Sequence, residues 1–204
     1  RTPQTDTFCF CPNGTQRRSK LSEMSTTLAS QVKTVPTVHV GSIREVEDVL
    51  AASHHRATVI CFRGSRDKGP ANANLAKNYT EIVCDDLQCP LDGYTPPDSE
   101  IVRQLRQAWS AAKQENSRVV LLCCHAGISR SPAAALGLLY LEAFLSNQAE
   151  AASIAVAQLL KTRPICQPSR LLLTLILESA LNKVQATATA DTLLRMVEAG
   201  QQPL

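Results

Sequence analysis

Arg118-Val119-Val120-Leu121-Leu122-Cys123 is apolar at almost every position, so a strand built from it has to be covered on both faces. No turn residue separates it from Cys124-His125-Ala126-Gly127-Ile128-Ser129-Arg130, and a helix must begin directly afterwards. Ser131 is a good cap, Pro132 suits a first helical turn, and residues 133–145 are strong helix formers. A buried strand, a short loop containing glycine and an apolar helix in direct succession fit a parallel sheet sandwiched between helices.

The rest of the chain supports that architecture. Thr37-Val38-His39-Val40 predicts a short strand, and Ser42-Ile43-Arg44-Glu45 is a capping box that opens a helix with Ile43, Val46, Val49 and Leu50 on one face. Ala57-Thr58-Val59-Ile60-Cys61-Phe62 is a second continuous apolar strand, ending at Arg63-Gly64, and Ile82-Val83-Cys84 is a further short one. Asp98 caps a helix whose Ile101, Val102, Leu105, Trp109 and Ala112 recur at helical spacing. Helices are predicted over 148–160, 169–183 and 189–199, the last stopped by Gly200. The expected fold is α/β, a central mostly parallel sheet of four to five strands flanked by helices, with a helical C-terminal third on one side. Residues 1–33 are rich in Thr, Ser, Gln and Arg without a sustained period and are expected to be a flexible tail, so that 34–204 form the single domain.

Charge narrows the partners. The net +3 lies wholly in residues 1–33, where Arg1, Arg17, Arg18, Lys20 and Lys33 face only Asp6 and Glu23; the remainder is balanced. A neutral body lacks the basic stripe of a nucleic-acid binder, so no nucleic acid is expected. The longest nearly apolar stretches, 133–145 and 171–177, fall short of the ~18 residues of a membrane span. No apolar stretch with a cleavage site marks an export signal. The eight cysteines are therefore read as reduced thiols in a cytoplasmic, monomeric protein. Cys9 and Cys11 have no companion pair at ligand-like spacing, and no metal site is expected.

The chemistry rests on Cys124 and Arg130, a cysteine and an arginine separated by five residues. The bare spacing is weak, since Cys11 and Arg17 share it with neither a strand before nor a helix after them. Between a buried strand and a helix N-terminus, however, successive backbone N–H groups turn inward and form an anion nest reinforced by the helix dipole. Such a nest favours a thiolate, which makes Cys124 a candidate nucleophile, while the planar fork of Arg130 can bind two phosphate oxygens. Gly127 supplies the backbone freedom for close approach, and His125, Ala126, Ile128 and Ser129 complete the expected substrate-binding loop.

Residues 123–132, Cys-Cys-His-Ala-Gly-Ile-Ser-Arg-Ser-Pro, resemble the H-C-x-A-G-x-S-R-S signature of cysteine-dependent protein tyrosine phosphatases, specifically the dual-specificity branch, and the likeness extends over roughly 37–200. Pro90-Leu91-Asp92-Gly93-Tyr94-Thr95-Pro96-Pro97 is similar to the acid loop of small phosphatases of the regenerating-liver type and of short bacterial tyrosine phosphatases. The resemblance implies hydrolysis of phosphotyrosine, with phosphoserine or phosphothreonine as further substrates on a phosphorylated protein, through a phosphocysteine and without metal or cofactor. It implies Cys124 as nucleophile, Arg130 as phosphate clamp, Ser131 as the hydroxyl that assists breakdown of the intermediate, and Asp92 as general acid. Asp86 and Asp85 compete with Asp92 for the acid role, and Asp92-Gly93 is also a plain turn signal.

One residue departs from the pattern: the family's histidine before the nucleophile is Cys123 here, expected to pack as a small apolar residue and to leave activity lowered. Cys61, at the end of another central strand, is the expected resolving thiol should Cys124 oxidise. Two other classes remain as alternatives. A rhodanese-type sulfurtransferase also places a cysteine in an anion-binding loop, and a phosphate-binding module with weak or no turnover would fit the loss of the histidine.

Overall fold

The computed structural model describes residues 36–53, 57–89 and 91–201. The tail expected over 1–33, the Cys9/Cys11 pair and the Cys11–Arg17 spacing lie outside the described residues. Four strands form one sheet in the order β1 (Thr37–Ser42), β4 (Val119–Cys124), β2 (Thr58–Arg63), β3 (Asn78–Val83), and every neighbouring pair is parallel. β4, the most apolar segment, takes the interior position between β1 and β2, where its backbone is paired on both sides.

Helix α1 (Ile43–Ser53) covers one face of the sheet, packing Val46 and Leu50 against Val59, Cys61, Leu121 and Cys123. The other face is covered by α2 (Ser99–Gln114) and α3 (Arg130–Leu145), with α4 (Ala151–Thr162), α5 (Arg170–Glu178) and α6 (Lys183–Gly200) packed beyond, around Ile60, Phe62, Leu122 and Cys124. α3 is buried almost all round, as an apolar helix lacking a polar face must be. Its Gly137 lets α5 approach so closely that a Cβ there would sit 2.7 Å from Ile176. This is the α/β sheet with a helical C-terminal third that the sequence predicts.

Local signals explain the starts of the elements. Ser42 and Glu45 form the reciprocal capping box, with the Ser42 N–H donating to Glu45 Oε2 at 2.6 Å and the Glu45 N–H to Ser42 Oγ at 3.2 Å. The Asp98 carboxylate accepts from the Ile101 N–H at 2.9 Å, as its position before α2 predicts.

Five expectations are corrected. Val49 is exposed rather than part of the α1 stripe, because at about 100° per residue it falls at the edge of the face set by Ile43, Val46 and Leu50. The helix predicted over 169–183 stops at Glu178, and α6 starts at Lys183, far ahead of 189, because Asn182 caps it by accepting from the Gln185 N–H at 2.9 Å. β3 begins four residues before Ile82, its half-buried positions giving no continuous apolar run, and Cys84 lies just past its end. Ser131 is not the cap of α3: the helix starts at Arg130 after Ser129, and Ser131 is fully buried within the first turn.

Candidate active site

β4 delivers Cys124 to the C-terminal edge of the sheet, where open parallel sheets hold their ligands. Side chains alternate along a strand, so Cys124 faces the α3 side while Cys123 faces α1. The loop 125–129 then turns sharply back through Gly127, whose φ is +69°. A Cβ at Gly127 would stand 2.5 Å from both Gly41 C and Ser42 N of β1, so the loop lies against backbone that only glycine can approach. From the other side, the Gln167 N–H donates to Ile128 O at 2.8 Å and the Ser169 N–H to Ser129 O at 3.2 Å. Arg163 bridges α4 to this loop, donating to Ala126 O at 3.0 Å and to the capping-box Glu45 at 2.8 Å. Glu45 is held below the ordinary carboxylate value by the Ser42 N–H, with Arg163 adding to that effect.

Cys124 opens into a cavity of about 620 Å³ whose walls include His125, Ala126, Ile128, Ser129 and Arg130. Of the loop residues read from the sequence, Gly127 alone is not on that wall; it is buried behind it against β1. Ser131 Oγ lies 3.2 Å from Cys124 Sγ, donating to it. Arg130 is held through its two terminal nitrogens and not through Nε. Its Nη1 donates to Cys84 O at 2.6 Å and its Nη2 lies 3.9 Å from Asp67 Oδ2, while its buried Nε has no hydrogen-bond partner among the described residues. A buried donor left unsatisfied costs about 1–3 kcal/mol, which an oxyanion reaching it would recover.

The acidic residues divide unexpectedly. Asp86 lines the cavity, and its Oδ1 accepts from Ser129 Oγ at 2.9 Å. Asp85 is not on its wall; it is buried, accepting from the Ser65 N–H at 2.9 Å and the Thr95 N–H at 2.7 Å. Burial alone would raise the Asp85 carboxyl, but the Thr95 and Ser65 donors together with the Arg130 charge outweigh it and hold the group below its ordinary value. Asp92 is not brought to the cavity. It stands exposed in a turn closed by the Tyr94 N–H on Leu91 O at 3.1 Å, with Gly93 at φ +78°.

Asp67 was not singled out from the sequence. It lines the cavity from the loop after β2, its Oδ1 3.6 Å from His125 Nδ1. The one available signal was its place directly after a strand in a parallel sheet. Gln88 and Gln167 also line the cavity and gave no signal.

The expected resolving thiol is also corrected. Cys61 pairs in register with Cys123 on the sheet face opposite Cys124. The neighbouring Cys61 thiol, together with burial, pushes Cys123 up. The thiol on the Cys124 side is Cys84, pushed up to about 12 by burial. A larger depression of about 760 Å³ lies between α2 and α5, but its walls hold no cysteine, histidine or aspartate. No cluster of His, Cys, Asp and Glu able to hold a metal ion occurs among the described residues.

The phosphatase domain of Yvh1 from Chaetomium thermophilum superposes with a TM-score of 0.50 at 16% identity, covering 71% of this chain and 90% of that one. The fold is that of this phosphatase domain. Human DUSP28 matches with a TM-score of 0.46 at 16% identity over 80% of this chain and 95% of its own. The human tyrosine phosphatase-like serine/threonine/tyrosine-interacting protein matches with a TM-score of 0.49 at 18% identity over 70% and 90%. No family model and no curated protein matches the chain. At 16% identity the likeness to the Yvh1 domain speaks for the fold alone, and the chemistry has to be argued from the side chains. Among the described residues no helix is long and apolar enough to cross a membrane.

Proposed function

We propose that this chain is a protein phosphatase that hydrolyses phosphotyrosine, and phosphoserine or phosphothreonine where the side chain reaches, through a phosphocysteine on Cys124. The observation that carries the reading is the convergence of Cys124 and a partly unsatisfied Arg130 guanidinium on one cavity, with the buried Ser131 hydroxyl 3.2 Å behind the Cys124 sulfur. In the first step the sulfur attacks phosphorus and the P–O bond to the leaving group breaks. Arg130 and the loop amides hold the equatorial oxygens, where charge develops. In the second step water attacks phosphorus, passing its proton to the carboxylate that protonated the leaving oxygen, and the P–S bond breaks, with the Ser131 hydroxyl donating to the departing sulfur.

For the proton that the leaving oxygen needs, we assign Asp86 in preference to Asp92, because Asp86 lines the cavity and Asp92 does not. No metal or cofactor enters these steps, and the protein acts as a monomer in the cytosol, where thiols stay reduced. A second reading, a phosphate-binding module with weak turnover, is favoured by one observation: Cys123, in place of the family's histidine, is turned away from Cys124 and packs beside Cys61 on the opposite face of the sheet.

Turnover of an aryl phosphate that disappears in Cys124→Ser supports the hydrolase. Binding of phosphopeptide without turnover in the unaltered protein supports the module, and thiocyanate formed from thiosulfate and cyanide would overturn both.

A further inference from the structure

A second depression, about 670 Å³, adjoins the catalytic cavity and shares Asp67, His125 and Ala126 with it as a common wall. Three cations from two stretches of chain stand around it: Arg44 in the first turn of α1, and Arg66 and Lys68 in the loop after β2. Its two carboxylates keep their charge but are turned to backbone donors, so the three cations outnumber them. Glu47 accepts from the Ala71 N–H at 2.5 Å, and Asp67 Oδ2 accepts from the Gly64 N–H at 3.2 Å. Arg44 and Lys68 make no hydrogen bond or ion pair among the described residues. Arg66 lies over the Tyr94 ring, its Cζ 4.6 Å from the centroid, a contact that positions the guanidinium and leaves its charge in place. Like charges gathered around one hollow repel one another, and an anion seated among them relieves that repulsion.

We propose that this depression is a second anion subsite, which binds a carboxylate or a phosphate on a residue flanking the phosphorylated one in a peptide substrate. The inference rests on the phosphoprotein reading and deepens it. An extended peptide crossing the shared wall sets same-side residues about 7 Å apart, which suits two adjoining hollows open to solvent. Arg44, Arg66 and Lys68 are then specificity residues that touch the substrate away from the reacting phosphorus.

The full chain carrying Cys124→Ser, titrated by fluorescence polarisation, tests this with three phosphotyrosine peptides. Their flanks are neutral, carry two aspartates, or carry a second phosphate. Exposed charge pairs of this kind predict about fivefold tighter binding of the aspartate peptide than of the neutral one at low salt. The second phosphate should tighten it further, and the gap should close at roughly 0.5 M salt. In Arg44→Ala/Lys68→Ala, both on the surface, the ratio of acidic to neutral peptide should fall close to one. Equal affinity for acidic and neutral peptides, or a preference that survives the double substitution, overturns the subsite. Binding of a soluble inositol bisphosphate more tightly than either acidic peptide would overturn it in favour of a lipid head group. Failure of the hydrolase reading is told apart by its own readout: the unaltered protein then leaves aryl phosphate intact, while the peptide ratio can still be read.

Discussion

Asp85→Asn isolates the contribution of a buried carboxylate that takes no direct part in the chemistry. Its two oxygens each accept one backbone N–H, from Ser65 and from Thr95, and its own N–H donates to Thr95 O at 2.6 Å, so it ties the loop after β2 to the segment leading into α2. The amide keeps one acceptor and turns its NH₂ toward the other N–H. One charge-assisted hydrogen bond is lost and a donor is left without a partner, at a cost of about 2–3 kcal/mol. For a domain of this size that corresponds to a fall in Tm of roughly 4–10 °C at pH 7, read by circular dichroism. The pH dependence has a fixed sign. Because the folded carboxyl titrates below its unfolded value of about 3.9, its stabilisation is complete above that value and is lost as pH falls through the lower folded one. The Tm gap between the two proteins should therefore be constant from pH 7 to about 5 and close only below about 4. A gap under about 1 °C at pH 7, or one that closes between pH 7 and 5, would refute the assignment of the stabilisation to Asp85.

Three further outcomes test the site. Asp86→Asn should lower kcat/KM on a phosphotyrosine peptide by about 10²- to 10⁴-fold, with a much smaller loss on an aryl phosphate that has an acidic leaving group; a loss of that size in Asp92→Asn instead would move the acid to the 91–94 turn. Gly127→Ala should cost about 2 kcal/mol or more, seen as a lower urea midpoint, because its Cβ meets β1 backbone that cannot yield as a side chain could. Ser131→Ala should give a burst of leaving group followed by slow steady-state turnover, with a phosphoenzyme recoverable by rapid quench, since the donor to the departing sulfur is gone.

Signals that act within a few residues were readable in the sequence. The Ser42–Glu45 box, the Asp98 cap and the apolar runs of β2 and β4 each carry their own physical reason, and each forms where it is expected. What depends on packing was not readable. The half-polar edge strand β3 hides its first four residues, and Val49 sits on the border of a stripe whose limits the sheet decides. The acid shows the same divide. Asp92-Gly93 is a strong turn signal at a familiar distance from the cysteine, whereas the access of Asp86 to the cavity depends on its contact with Ser129, forty-three residues later in the chain. Asp67 reaches Arg130 only because β2 and β4 are neighbours, a pairing that no local pattern encodes.

The alternation of β4 also sorts the sulfur atoms by reach. Among the described residues Cys61, Cys84, Cys123 and Cys166 are sealed in the interior, Cys89 is on the surface, and Cys124 alone is approached through an opening. A covalent probe applied to the native protein thus meets two addressable sulfurs among the described residues, and with Cys89 replaced by serine a peptide map reads the label at Cys124 by itself.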